Sequence, residues 1–227
     1  MMELTLRQLT KRYDSDAADN AVLREVDLCL PSGEYAVVIG RSGSGKSTLL
    51  NLLGALDLPS SGQVLFGGRD LAAMSESQRA DLRRRELGFV FQACNLIPTL
   101  TVLENLLVPL QLNLWQRARA RRHCHGLLEA AGLGAYPGRF PEELSGGEQQ
   151  RVAVLRAIVH APSVVIADEP TGNLDLATAR QVLALLEEFC RAGGRSLIMA
   201  THSQEVMGRA SRILRIADGK VSAGEAM

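Results

Sequence analysis

Gly40-Arg41-Ser42-Gly43-Ser44-Gly45-Lys46-Ser47 decides how the rest of the chain is read, because it matches the phosphate-binding pattern GxxxxGK[ST]. The pattern has meaning only between a strand and a helix, and both flanks comply. Glu34 to Gly40 is a nearly continuous apolar run ending in glycine, as expected of a central strand covered on both faces, and a helix is predicted from about Lys46 to Leu56. In such a loop the glycines let backbone amides turn inward around phosphate oxygens, and the helix start adds its positive dipole end. Lys46 is placed to neutralise the β and γ phosphates, and Ser47 to set its hydroxyl on Mg²⁺. Only Lys11, Lys46 and Lys220 among 25 cations are lysines, so this chain uses Arg almost wherever a generic positive charge suffices. A compact ammonium at position 46 therefore has a reason, since it suits a phosphate cradle better than a planar guanidinium.

Val164 to Asp168, followed by Glu169, supplies the second half of such a site: an apolar strand delivering two adjacent carboxylates at its end. Asp168 is expected in the magnesium shell, and Glu169 to orient and polarise an attacking water. Further out, Leu4 and Leu6, then Val26, Leu28 and Leu30, alternate with polar residues, which predicts an antiparallel β-layer joined through the polar turn Asp14 to Asn20. Val64 to Phe66, Gly88 to Phe91, Ser196 to Ala200 and Ile213 to Ile216 read as strands; Leu112 to Ala131, Glu148 to His160 and the stretch through Val182, Leu185, Leu186 and Phe189 read as helices. Strands alternating with helices indicate an α/β fold. The helix-rich middle, roughly Gln92 to Leu155, is expected to be an inserted subdomain.

Bulk properties bound the function. A chain of 227 residues with 46% hydrophobic and 22% charged residues is globular, and 25 cations against 25 anions leave no global basic field to advertise nucleic acid. Cys29, Cys94, Cys124 and Cys190 form no CxxC pair, and nothing before Glu3 resembles a signal peptide, so a cytosolic setting is expected. The most apolar stretch, Asn95 to Trp115, is interrupted by Pro98, Glu104, Asn105, Pro109, Gln111 and Asn113 and cannot span a bilayer. Its leucines exceed what one amphipathic helix needs. Pro98 and Pro109 are expected to break it into pieces, with Leu106 and Leu107 in the core and Leu96 and Ile97 exposed as docking contacts. His123, His125 and the runs Arg117 to Arg122 and Arg83 to Arg85 read as solvated helix faces.

Leu144-Ser145-Gly146-Gly147-Glu148-Gln149-Gln150 narrows the field of phosphate-loop proteins. Ser145 with Glu148 is a capping box, an ordinary helix start, but that leaves Gly146 and Gly147 without a role unless an anion approaches their amides. With this segment the sequence resembles the ABC transporter ATPases, whose signature is LSGGQ or LSGGE, from about Leu4 to Lys220. The family's segments stand in order: Tyr13 at the adenine-stacking position, the phosphate loop Gly40 to Ser47 with Thr48 behind it, Gln92 at the Q-loop, the signature, Asp168 and Glu169, Asn173-Leu174-Asp175 as the D-loop, and His202 as the switch histidine. Gly54-Ala55-Leu56-Asp57, Phe91-Gln92, the segment Asn95 to Asn105, and Ala167 to Asp175 look like the MacB and LolD group. Leu155, where that group usually has Ala, and Ser203, where it usually has Asp, depart from the pattern.

The resemblance implies a single ABC ATPase domain over 1–227, a RecA-like core with β-subdomain (1–91 and 156–227) and a helical signature subdomain (about 92–155). It implies ATP and Mg²⁺ as cofactors, with Ser47, Gln92 and Asp168 on the metal and Glu169, His202 and Gln92 in catalysis. Leu144, Ser145, Gly146, Gly147, Glu148 and Gln149 would act in trans on the nucleotide of a second subunit, expected to be an identical copy, with Asp175 beside it. The further partner implied is an FtsX- or MacB-like permease, not nucleic acid, which places the protein peripherally on the cytoplasmic side of the inner membrane. The alternative is a cell-division type of ABC ATPase that regulates a membrane scaffold; a DNA-repair ATPase would need a coiled-coil insertion for which 227 residues leave no room.

Overall fold

In the computed structural model, which describes residues 3–13 and 21–225, the chain builds two β-sheets bridged by helices. The expected turn Asp14 to Asn20 lies outside the described residues. In chain order the elements are β1 (Leu4–Arg12), β2 (Ala21–Leu30), β3 (Tyr35–Ile39), α1 (Lys46–Leu53), β4 (Ser61–Phe66), β5 (Arg69–Asp70), α2 (Glu76–Glu86), β6 (Leu87–Phe91) and α3 (Val102–Leu112). Then come α4 (Arg117–Ala130), α5 (Gly146–Ile158), β7 (Val164–Asp168), α6 (Leu176–Ala192), β8 (Ser196–Ala200), α7 (Gln204–Met207), β9 (Arg212–Ala217) and β10 (Lys220–Glu225).

One sheet is antiparallel, in the order β2-β1-β4-β5; the other runs β10-β9-β3-β8-β7-β6 and is parallel except for its edge strand β10. The parallel strands sort their side chains by the two-residue period. Val37, Val165, Leu197 and Met199 join the core shared with α3, α5 and α6, while Ala36, Val38, Ile166 and Ile198 join α1 and the inner face of the antiparallel sheet. Being covered on both faces is why these strands read as unbroken apolar runs. Open α/β sheets present ligands beyond the carboxyl ends of their strands. Here those ends carry Gly40 after β3, Asp168 and Glu169 at β7, and His202 after β8.

The helices depart from the sequence reading at several points. The helix expected over Leu112 to Ala131 is α4, which begins only at Arg117, whereas Leu112 closes the preceding helix α3. Pro109 does not break the apolar stretch: it lies inside α3, near its end, where burial of Leu106, Leu107 and Leu110 outweighs the lost backbone bond. Arg83 and Arg84 are not merely solvated. Arg83 donates 2.7 Å to the Ala55 carbonyl and Arg84 donates to the Leu112 carbonyl, while Asn113 returns a 2.9 Å bond to the Arg84 carbonyl. These bonds tie α2 to α1 and to the α3 end. His123 likewise meets the Val159 carbonyl at 3.0 Å and packs against Trp115, so it belongs to the α4 packing rather than to a solvated face. Nearer the phosphate loop, α1 stops at Leu53, three residues short of the expectation, and is capped by Gly54, where a Cβ would fall 2.6 Å from Phe89 Cε1.

Candidate nucleotide site

The phosphate loop folds as its composition requires. Gly43 and Gly45 have φ of 76° and 103°, angles that only glycine adopts without strain. Gly40 is needed for a different reason, because a Cβ there would lie 2.5 Å from Ser44 Oγ. Lys46 starts α1 with its Nζ drawn back over the loop, 3.1 Å from the Gly40 carbonyl and 3.2 Å from that of Arg41. Its side chain is only 7% exposed, and its nearest carboxylate, Glu169, stands at 3.9 Å. A buried ammonium held mainly by carbonyls is poorly neutralised, which is what an incoming phosphate would remedy. Ser44 Oγ is buried with no partner among the described residues, a second unmet polar atom in the same loop. Ser47 is exposed. The residues thus fit a nucleotide triphosphate.

Around that loop the structure gathers the residues that sequence placed far apart. His202 Nε2 is 3.3 Å from Lys46 Nζ and 3.2 Å from Glu169 Oε1, so Lys46, Glu169 and His202 form one cluster at the carboxyl ends of β3, β7 and β8. Glu169 sits at φ 45°, a left-handed backbone uncommon for a non-glycine residue and characteristic of functional turns. Its amide is satisfied by the Ala200 carbonyl at 3.0 Å, which fixes the carboxylate relative to β8. Tyr13 presents a 57% exposed ring, braced by its hydroxyl 3.3 Å from Thr48 Oγ1 and by Lys11 Nζ 4.8 Å from the ring centre. Beside Gly40 to Ser44 opens a cavity of about 770 Å³, walled by Val22, Arg24, Arg215 and Asp218. Neither Lys46, Ser47 nor Tyr13 lines it, so it flanks the loop.

Gln92 and the signature stand apart from this cluster. Gln92 Nε2 donates 2.9 Å to Asn173 Oδ1, joining the Q-loop to the D-loop, and Asp175 caps α6 by accepting from the Ala177 and Thr178 amides at 3.0 Å. Ser145 and Glu148 close the expected capping box, which holds the Glu148 carboxyl below the usual carboxylate range through its bonds to the Ser145 hydroxyl and amide. Among the described residues no hydrogen bond or ion pair links Leu144 to Gln149 with Gly40 to Thr48. Gly147 has a reason that the sequence concealed: a Cβ there would fall 2.1 Å from Thr178 Cγ2, so the first turn of α5 needs it to pack on α6. Gly146 is exposed and has only Leu174 within reach, at 3.7 Å.

Sequence reasoning missed the residues that hold the Q-loop segment. Cys94 and Asn95 take φ of 52° and 49°, and Arg156 of α5 donates to both of their carbonyls, at 2.9 and 2.6 Å. Gln150, two turns before it, donates 3.0 Å to the Phe91 carbonyl and accepts from Cys94 Sγ at 2.6 Å. Buried Asn105 spends both ends of its amide on Ile97, Leu100 and Thr101. A polar residue inside an apolar helix stripe was the available signal for Asn105. Of the two docking candidates, Ile97 is exposed, but Leu96 is half-buried against the helical core, a correction to its expected exposure.

Residues 23–172 match the ABC transporter family. The chain belongs to the ABC transporter ATPases. It is accordingly an ATP-binding and ATP-hydrolysing transporter subunit. It is 44% identical over 218 residues to the lipoprotein-releasing system ATP-binding protein LolD of Bordetella pertussis, covering 96% of this chain and 94% of that one. It is 41% identical to an uncharacterized ABC transporter ATP-binding protein of Methanocaldococcus jannaschii, covering 95% of this chain and 96% of that protein. Among solved structures it superposes with a TM-score of 0.89, 34% identity and 99% coverage of both chains on the dimeric, post-hydrolysis ATP-binding cassette MJ0796 bound to ADP and Pi. A second dimeric structure of that cassette gives 0.88 at the same identity. No helix among the described residues is long and apolar enough to cross a membrane.

Proposed function

We propose that this ABC ATPase works as a head-to-tail pair that closes on two MgATP and, in opening again, drives a permease of the lipoprotein-releasing kind. The observation that carries the reading is the division of the site. Lys46, Glu169 and His202 lie together on one face, whereas Ser145 and Gly146 form an exposed helix start that their own chain's phosphate loop does not reach. A second copy supplies the missing half. Leu176, 80% exposed beside Asp175, is then covered by that copy, as are the D-loop residues.

Within each half the backbone of Gly40 to Gly45 cradles phosphate and Lys46 neutralises it, with the exposed ring of Tyr13 stacked on the base. Ser47, Asp168 and Gln92 would hold Mg²⁺ jointly with phosphate oxygens and water, for no group of three or more His, Cys, Asp or Glu among the described residues makes a metal cage by itself. When bound, the metal would supply positive charge against that of the phosphates. Glu169 accepts a proton from the attacking water, and His202 holds that carboxylate in place. The partner's Ser145 hydroxyl and Gly146 amide complete the cap over the phosphates.

Membrane attachment follows from the permease, which would dock at Ile97 and the neighbouring Q-loop. Arg156 and Gln150 make that segment move with α5, whose first turn is the signature. The reading is tested by purifying the chain with the membrane protein encoded beside it and measuring MgATP-dependent release of a lipid-anchored protein from proteoliposomes. Release that requires Lys46 supports it. Hydrolysis without release of any lipid-anchored cargo would refute the lipoprotein-extraction part.

A further inference from the structure

The turn between α3 and α4 carries a leucine where folding calls for glycine. Trp115 N–H donates 3.0 Å to the Leu110 carbonyl, and Leu114 N–H donates 3.0 Å to the Gln111 carbonyl. This paired pattern is the helix stop whose left-handed residue is ordinarily glycine. Here that residue is Leu114, at φ 58° and with 89% of its side chain exposed. A β-carbon in this conformation is unfavourable, and an exposed isobutyl group recovers nothing from the core. The turn is nonetheless held firmly, through Asn113 to the Arg84 and Pro109 carbonyls at 2.9 Å and through Arg84 to the Leu112 carbonyl. Leu112, 58% exposed, projects beside it.

Charge is segregated at the same place. From residue 105 to residue 128 there is no Asp or Glu, yet Arg117, Arg119, Arg121 and Arg122 all fall there, in a chain whose charges cancel overall. All four are exposed, and among the described residues none makes an ion pair. Arg119 lies over Trp115, 4.7 Å from the ring centre. They occupy the beginning of α4, which has no acidic residue in its first turn and no side-chain cap, so they add to the positive end of the helix dipole instead of opposing it. Apolar tips, a tryptophan and arginines of which only Arg121 has a carboxylate, Glu104, acting on it form the composition that settles into the headgroup layer of an anionic bilayer.

We infer that the α3–α4 corner is a direct membrane contact, with Leu114 and Leu112 entering the interface and Arg117, Arg121 and Arg122 facing anionic phospholipid headgroups. A lipid surface suits this corner better than a protein partner, because two leucines on a tight turn offer far less than the roughly 800 Å² per partner of a stable protein interface. The contact is independent of which permease the ATPase serves.

The test is flotation of the purified full chain with phosphatidylcholine vesicles, with and without phosphatidylglycerol. The parent should float only with the anionic vesicles, and added salt should release it. The triple change Arg117→Gln, Arg121→Gln, Arg122→Gln should weaken partitioning by about 10²-fold, since each arginine near an anionic surface contributes about fivefold. Leu114→Gly should weaken it by about tenfold, the worth of one interfacial leucine, and should melt at or above the parent temperature because glycine suits the turn. Equal binding to both vesicle types, parental binding by Leu114→Gly, or a lowered melting temperature for that variant would overturn the inference. Unchanged flotation of the variants with lost capture of the permease would overturn it too, by marking the corner as a protein contact. The vesicles contain no permease, so a negative result leaves the reading of the nucleotide site standing.

Discussion

His202 holds Nε2 3.2 Å from Oε1 of Glu169, across the ends of two neighbouring strands. If Glu169 is the general base proposed above, its amide variant should lose turnover without losing ligand. Glu169→Gln is expected to bind ATP as the parent does while slowing turnover by about 10²- to 10⁴-fold, the usual contribution of such a group. Measuring nucleotide affinity and steady-state hydrolysis on the same preparation checks both halves. Parental turnover would remove Glu169 from the role proposed for it.

The two signature glycines should part company. Gly147→Ala places a methyl group 2.1 Å from Thr178 Cγ2 and should cost about 1–3 kcal/mol, the range for overpacking. Thr178→Ser removes that methyl and should restore most of the loss, a coupling that a double-mutant cycle in denaturant would read directly. Gly146→Ala meets nothing closer than Leu174 at 3.7 Å, so its melting temperature should hold while hydrolysis falls.

Much of the core was legible because strands buried on both faces, such as Ser196–Ala200, are continuous apolar runs, and because the phosphate loop carries its chemistry in consecutive residues. What escaped had physical reasons. The stop of α3 is signalled by glycine in most proteins and by Leu114 here, so the turn carries no sequence mark and the expected helix start at Leu112 precedes the true start of α4 at Arg117. β10 is an edge strand in which Lys220, Ser222, Ala223 and Gly224 are exposed and only Val221 is half-buried, so it carries no alternating pattern to stand out. The tethers made by Arg83, Arg84 and Arg156 are bonds from guanidinium groups to carbonyls distant in sequence, which no spacing rule encodes.

The thiols should divide by burial. Desolvation pushes Cys124 to about 11 and Cys190 to about 12, offset only partly by Arg121 and by Arg195 respectively, whereas Cys29 is exposed. Alkylation near neutral pH should therefore mark Cys29 first and reach Cys124 and Cys190 only on unfolding, as peptide mapping of a timed labelling series would show. Early modification of Cys190 would contradict the packing of α6 on the sheet.

Ile97 and Leu96 give opposite expectations despite being neighbours. Ile97→Ser should change stability by no more than about 0.5 kcal/mol, as exposed sites do, and should weaken permease capture. Leu96→Ser should depress melting as well, because Leu96 packs on the helical core. Thermal unfolding of the isolated chain paired with pull-down of the permease separates the two.

The division of the nucleotide site between two copies is most directly tested by light scattering of the Glu169→Gln chain at saturating MgATP, alone and with its permease. The account predicts a nucleotide-driven shift from monomer to dimer that Ser145→Arg abolishes, because an arginine there blocks the cap over the partner's phosphates. A chain that stays monomeric in both settings, or a Ser145→Arg variant that dimerises as readily, would contradict it.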